Sequence, residues 1–229
     1  MISEHHLSVQ RTARYFCIGT ASAQVRELWM ACHGYGQLAA QFAGSFEAIA
    51  APSRLVVVPE ALSRFYLDRT PGAADPPPRV GATWMTREDR ESEIADHVAY
   101  LDELHEAVRS QLDPLKRSAA SDHVRLRVLG FSQGVATVGR WLAYGRARAD
   151  DIMLWAGSFP QDIELAPLSK RLGSAPVTLV VGARDELASW ANAETQLQRF
   201  LAAGIAARLI SFEGGHRLDA ATLTSLATT

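Results

Sequence analysis

The chain has 229 residues, a formal net charge of −2, 48% hydrophobic residues and 21% charged residues. That is ordinary globular composition, and the length can bury roughly 70–75% of the unfolded surface without help from metals or disulfides. The near-balanced charge and the lack of a basic stripe argue against a nucleic-acid partner, and no run approaches the roughly 18 apolar residues of a membrane span.

In chain order, residues 7–19 alternate loosely through Leu7, Val9, Ala13, Tyr15 and Cys17, which predicts an N-terminal β-hairpin or edge pair over 5–20. Leu28-Trp29-Met30-Ala31-Cys32 is a continuous apolar run of the kind found in strands buried on both faces. Leu38, Phe42, Phe46 and Ile49 then fall at helical spacing, and Leu55 to Val58 reads as the next strand, stopped by Pro59. Strand, helix, strand is the unit of a parallel sheet. Residues 60–87 break the rhythm with Pro71, Gly72, Pro76, Pro77, Pro78 and Gly81 beside Phe65, Tyr66, Trp84 and Met85. A long loop that carries aromatics suggests a wall of a site, with packing against the domain as the plain alternative.

Glu88 to Leu112 predicts a long helix, acidic in its first turns and stopped by Pro114. Further strands are expected at Arg125–Leu129, Ile152–Ala156, Val177–Val181 and Ala207–Phe212, and further helices after Ser132, from Trp190 to Ala203, and at the C-terminus. The whole reads as a single α/β domain over 1–229, with a mostly parallel central sheet, helices on both faces and no large lid. Cys17 and Cys32 each lie in an apolar run, so two buried, unpaired thiols are expected. The first residues lack the pattern of a secretory signal. A cytoplasmic location follows by elimination.

Gly130-Phe131-Ser132-Gln133-Gly134 matches Gly-x-Ser-x-Gly between a strand and a helix. A serine on such a tight turn is lifted to the carboxyl end of the sheet, and the helix that follows offers free N–H groups to a developing oxyanion. On this scaffold an acid and then a histidine follow the serine, each on a loop after a later strand. Gly182-Ala183-Arg184-Asp185 follows one such strand and Glu213-Gly214-Gly215-His216 the last. His216 is the only histidine beyond Asp185. Asp185 is the preferred acid, although Glu186 beside it meets the same spacing. Asp150 and Asp151 precede a strand and point to the wrong end of the sheet.

The expected chemistry is attack by Ser132, with His216 taking its proton and Asp185 holding the imidazole tautomer. Backbone N–H groups of Tyr35, in His33-Gly34-Tyr35-Gly36, and of Gln133 would bind the oxyanion. His33 reads as a structural residue that shapes that loop. Ser158 follows a strand too, but Pro160 and the residues after it open no helix. His97 and His105 read as ordinary helix-face residues. Phe65, Trp84, Met85 and Phe159 are candidate substrate-binding residues.

Taken together, Gly130–Gly134, His33–Gly36, Gly182-x-x-Asp185 and Gly215-His216 resemble the phospholipase/carboxylesterase family, which includes acyl-protein thioesterases and bacterial carboxylesterases. The resemblance spans about residues 28–216. It implies the α/β-hydrolase fold, the triad Ser132, Asp185 and His216, donors at Tyr35 and Gln133, and no cofactor. Gln37 stands where that family often has aspartate, and Val135 where a second glycine is frequent, which weakens any transfer of thioesterase specificity. The expected substrate is a small-molecule acyl ester. An inactive binding protein on the same scaffold, or a hydrolase of peptides or lactones, are the competing readings. No metal is expected, since no cluster of ligands has the right spacing. Whether the chain forms a homodimer is open in the sequence.

Overall fold

A computed structural model describes residues 1–67, 79–116 and 123–228. The proline cluster at 71–78 lies outside the described residues.

Seven strands form one sheet: β1 (Tyr15–Ile18), β2 (Glu27–Cys32), β3 (Arg54–Pro59), β6 (Arg125–Phe131), β7 (Asp151–Trp155), β8 (Val177–Gly182) and β9 (Ala207–Phe212). Their spatial order is β1-β3-β2-β6-β7-β8-β9. Among the described residues of this sheet only β1 runs antiparallel, against β3, and every other pairing is parallel. Two short strands, β4 (Ser63–Tyr66) and β5 (Val80–Thr83), pair antiparallel in a separate ribbon, with Ser63 opposite Thr83 and Tyr66 opposite Val80.

The sheet is covered on both faces, as its apolar strands require. Along β2 the residues alternate between two cores. Leu28, Met30 and Cys32 join the core that holds Leu101 of α2 (Arg90–Leu112), Val138 of α3 (Gln133–Tyr144), Leu168 of α4 (Leu165–Leu172) and Phe200 of α5 (Trp190–Ala202). Trp29 and Ala31 turn the other way, toward Phe42 of α1 (Ala39–Ala43), Phe46 in the 3-10 turn after it, and Leu223 of α6 (Ala220–Ala227). Period-2 alternation with bulk on both sides is what a central parallel strand needs.

Three sequence expectations change. The hairpin expected over 5–20 reduces to one edge strand, β1, because Leu7 and Val9 find no surface to cover and stay exposed. Arg14 instead docks on the buried Glu60 carboxylate, with Nε 2.6 Å from Oε1. Cys17 is exposed on that edge strand, whereas Cys32 is buried, and both are free thiols. The loop expected over 60–87 contains the β4–β5 ribbon. Among the described residues no helix is long and apolar enough to cross a membrane.

Candidate active site

The serine motif sits where expected, between the end of β6 and the start of α3. Ser132 has φ 53° and ψ −116°, a conformation costly for any residue with a Cβ. Its neighbours hold it there. Its N–H donates to the Trp155 carbonyl at 2.8 Å, and its own carbonyl accepts from Val135 N–H at 3.0 Å. Glycine is required at both flanks by close approach rather than by dihedral. A Cβ on Gly130 would overlap the Gly134 carbonyl oxygen, and one on Gly134 would overlap that of Cys32. The helix can therefore start against the ends of two strands. Ala156, at the end of β7, also has positive φ, at 51°.

The loops after β8 and β9 are zipped together. Ala183 N–H donates to Phe212 O at 2.9 Å and Arg184 N–H to Gly214 O at 2.8 Å. This brings Asp185 to His216: Nδ1 lies 2.9 Å from Oδ2 and 3.1 Å from Oδ1. The Asp185 side chain is fully buried and that of His216 is 22% exposed. Leu187 and Ala188 N–H groups also donate to Asp185 Oδ1, at 2.9 and 2.8 Å. Four donor contacts thus orient one carboxylate, and they leave it nowhere to turn. Glu186 is exposed. The His216 ring rests against Phe131, with centroids 5.0 Å apart, next to Ser132 in the chain. No hydrogen bond joins the Ser132 hydroxyl to the imidazole among the described residues.

Across from the histidine lies the turn after β2. Gly34 faces Ser132 so closely that an added Cβ would sit 3.1 Å from the serine Cβ. Three N–H groups of this turn are taken: Gly34 by Gln37 Oε1 at 2.8 Å, Gly36 by Ala82 O at 2.9 Å and Gln37 by Gly34 O at 3.3 Å. The Tyr35 N–H has no acceptor among the described residues, and neither does the Gln133 N–H at the first turn of α3. A free N–H at a helix start beside a serine can stabilise negative charge.

His33 is fully buried below this turn. Its Nδ1 donates to Gly34 O at 2.8 Å and its Nε2 accepts from Ala61 N–H at 3.1 Å, which defines a neutral tautomer. Burial holds its pKa below the usual histidine value. It shapes the loop, as its place in the sequence suggested.

Of the four residues expected to bind substrate, the structure turns two inward. Trp84 and Phe159 are each 3% exposed. Trp84 packs on His33 and donates Nε1–H to the His33 carbonyl at 2.9 Å, while Phe159 meets Phe200 edge to face at 5.0 Å. Both close the core. Phe65, stacked 5.2 Å from Tyr35, and the half-buried Met85 stay at the rim. Ser158 is exposed on a loop that does not enter a helix until Leu165. It borders a cavity of about 20 Å³ between Gly157, Ala188 and Gln196, room for about one water. No sequence signal pointed to the Gln133 side chain, whose partners lie some 50 residues away: Nε2 donates to Thr83 Oγ1 and Met85 O, each at 2.9 Å, and Oε1 accepts from Trp84 N–H at 3.1 Å. Among the described residues no group of side chains could hold a metal ion.

The fold as a whole has counterparts among solved structures. A carboxylesterase from Mesorhizobium loti superposes with a TM-score of 0.66 at 18% identity, covering 94% of each chain. The chain has the α/β-hydrolase fold. Esterase PE8 matches at TM-score 0.61 and 21% identity, over 95% of this chain and 99% of that one. Acyl-protein thioesterase 2 of Zea mays matches at 0.62 and 17%, over 95% and 97%. No family model matches the sequence, and neither does any curated protein. At these identities the α/β-hydrolase likeness is one of fold.

Proposed function

We propose that this chain is a serine hydrolase of the phospholipase/carboxylesterase type, a single catalytic domain that cleaves carboxylic esters through an acyl-enzyme on Ser132, with thioesters as the competing substrate class that the assay below separates. The observation that carries this reading is the buried Asp185 carboxylate bonded to His216, whose ring leans on Phe131 beside a serine in a strained turn. Asp185 keeps the proton on Nδ1, which leaves Nε2 to accept one from the serine hydroxyl. The Ser132 oxygen attacks the acyl carbon, and the oxyanion that forms takes hydrogen bonds from the Tyr35 and Gln133 N–H groups. His216 then returns the proton to the departing alcohol or thiol. Water, deprotonated by the same imidazole, releases the acid. Each step uses groups already present, so the reaction asks for no cofactor. Unpaired thiols at Cys17 and Cys32 suit a reducing, cytoplasmic setting.

The missing Ser132–His216 hydrogen bond is the one feature that favours an inactive scaffold. Hydrogen bonds of this kind are often long without substrate and tighten in the complex, and labelling decides between the two. A fluorophosphonate should modify Ser132 in the folded protein, and Ser132→Ala should lower turnover of aryl esters by at least ~10⁴. An unlabelled serine, or a variant with undiminished turnover, would refute the assignment. A panel of aryl esters and thioesters of rising chain length reads the acyl preference in the same assay.

A further inference from the structure

We infer that residues 82–85 act as a splint that sets the spacing between the two oxyanion donors, and that the Gln133 side chain is its positioning residue. This rests on the serine-hydrolase reading given above. The two donor N–H groups belong to separate elements, Tyr35 on the turn after β2 and Gln133 at the start of α3. The segment leaving β5 is bonded to both. On one side, Gly36 N–H donates to Ala82 O at 2.9 Å and Ala82 N–H donates to Gln37 O at 3.2 Å, so Ala82 brackets the turn that holds Tyr35. Gly81 lies so close that a Cβ there would overlap the Gly36 backbone. Trp84 adds a third tie through its indole N–H to His33 O.

On the other side, the Gln133 amide is saturated by the same segment. Both Nε2 protons go to Thr83 Oγ1 and Met85 O, and Oε1 receives the Trp84 N–H. The Thr83 hydroxyl proton has two acceptors in reach, Met85 O at 3.0 Å and Gln133 Oε1 at 3.2 Å. Donors and acceptors match without remainder, a condition under which a part-buried polar network rigidifies its surroundings. Any drift of 82–85 would move Tyr35 and Gln133 relative to one another. An oxyanion hole works through donors fixed before charge develops, so the splint acts on the transition state more than on the bound ester.

The test uses Gln133→Met, which keeps the side chain's bulk and removes its three hydrogen bonds, and Thr83→Val, a milder cut in the same network. Wild type and variants are compared for aryl-ester kcat and KM and for inhibition by an aryl trifluoromethyl ketone, whose adduct with serine carries an oxyanion. In Gln133→Met, kcat should fall by about ten- to a hundred-fold with KM changed less than about three-fold, and ketone affinity should fall by the same factor as kcat/KM. Thr83→Val should show a smaller loss of the same kind. The double variant should be no worse than Gln133→Met alone, since both cut one network. If either folded variant keeps wild-type kcat and ketone affinity, or loses only KM, the splint is rejected. If Gln133→Met fails to fold, the Thr83→Val values decide. Fluorophosphonate labelling of wild-type Ser132 separates the two ideas: labelled wild type with indifferent variants sinks the splint alone, and unlabelled wild type sinks the hydrolase reading itself.

Discussion

The carboxylate at 185 differs from its neighbour at 186 in one physical respect, the number of donors aimed at it. Asp185 accepts from two backbone N–H groups and faces the His216 imidazole from a fully buried position, whereas Glu186 points to solvent. Chain spacing could not separate the two, because both stand at the end of the same loop; hydrogen bonding separates them. On the proposed mechanism, Asp185→Asn should therefore lower kcat by about 10⁴, since an asparagine could no longer fix the imidazole tautomer, and Glu186→Gln should leave it within about two-fold. Steady-state kinetics on one aryl ester checks both. The strand-end positions of Ser132 and His216 were legible because the scaffold dictates chain order and strand-end placement. The Gln133 amide was not, since its partners at 83–85 come from a ribbon that no local pattern ties to the serine turn.

At the scale of an element, α2 shows what periodicity can and cannot tell. Its apolar stripe through Ile94, Val98, Leu101 and Val108 was readable, and those residues are buried. His97 read as an ordinary face residue, yet it is only 2% exposed, edge to face with the Trp84 ring at 6.4 Å and within electrostatic reach of Arg140 of α3. Neither ring nitrogen makes a well-formed hydrogen bond, although the Trp84 and Glu93 backbones lie near enough to favour a proton slightly. Burial first, and the Arg140 charge second, push its pKa down to about 4. The folded state therefore holds His97 neutral while the unfolded chain takes up a proton below its ordinary value of 6.5. Stability is complete above pH 6.5 and drains away as pH falls toward 4, by up to about 3 kcal/mol from this residue. His97→Leu should flatten the fall in thermal midpoint between pH 6.5 and 4 relative to wild type, and an unchanged slope would refute the account. Elsewhere α4 escaped because it carries a proline in its first turn, and the partner of β1 was misjudged because it lies some 40 residues downstream rather than next to it.

Across the whole molecule the two ends of the sheet divide the labour. The carboxyl ends of β2, β6, β8 and β9 carry Tyr35, Ser132, Asp185 and His216, as the alternation of apolar runs and glycine-containing loops suggested; the left-to-right order of the strands had to come from the fold. The opposite end holds a buried ion cluster that the sequence did not announce. Arg127 at the start of β6 is 1% exposed, bonds Asp151 of β7 through Nε at 3.0 Å, reaches Glu27 of β2 at 3.4 Å and donates to the Leu226 carbonyl of α6 at 2.7 Å. Its guanidinium also lies over the Trp29 ring, 4.7 Å from the centroid. One side chain thus joins three strands and the last helix. Arg127→Ala would strand the Asp151 carboxylate without its main partner, and breaking such a pair from one side costs about 3–5 kcal/mol. Denaturant unfolding should register that loss as a lower midpoint. Because the cluster lies at the far end of the strands from Ser132, kcat/KM per folded molecule and the rate of fluorophosphonate labelling should both stay at the wild-type value. A variant that unfolds as readily as predicted but also labels more slowly would mean that the two ends of the sheet are mechanically coupled.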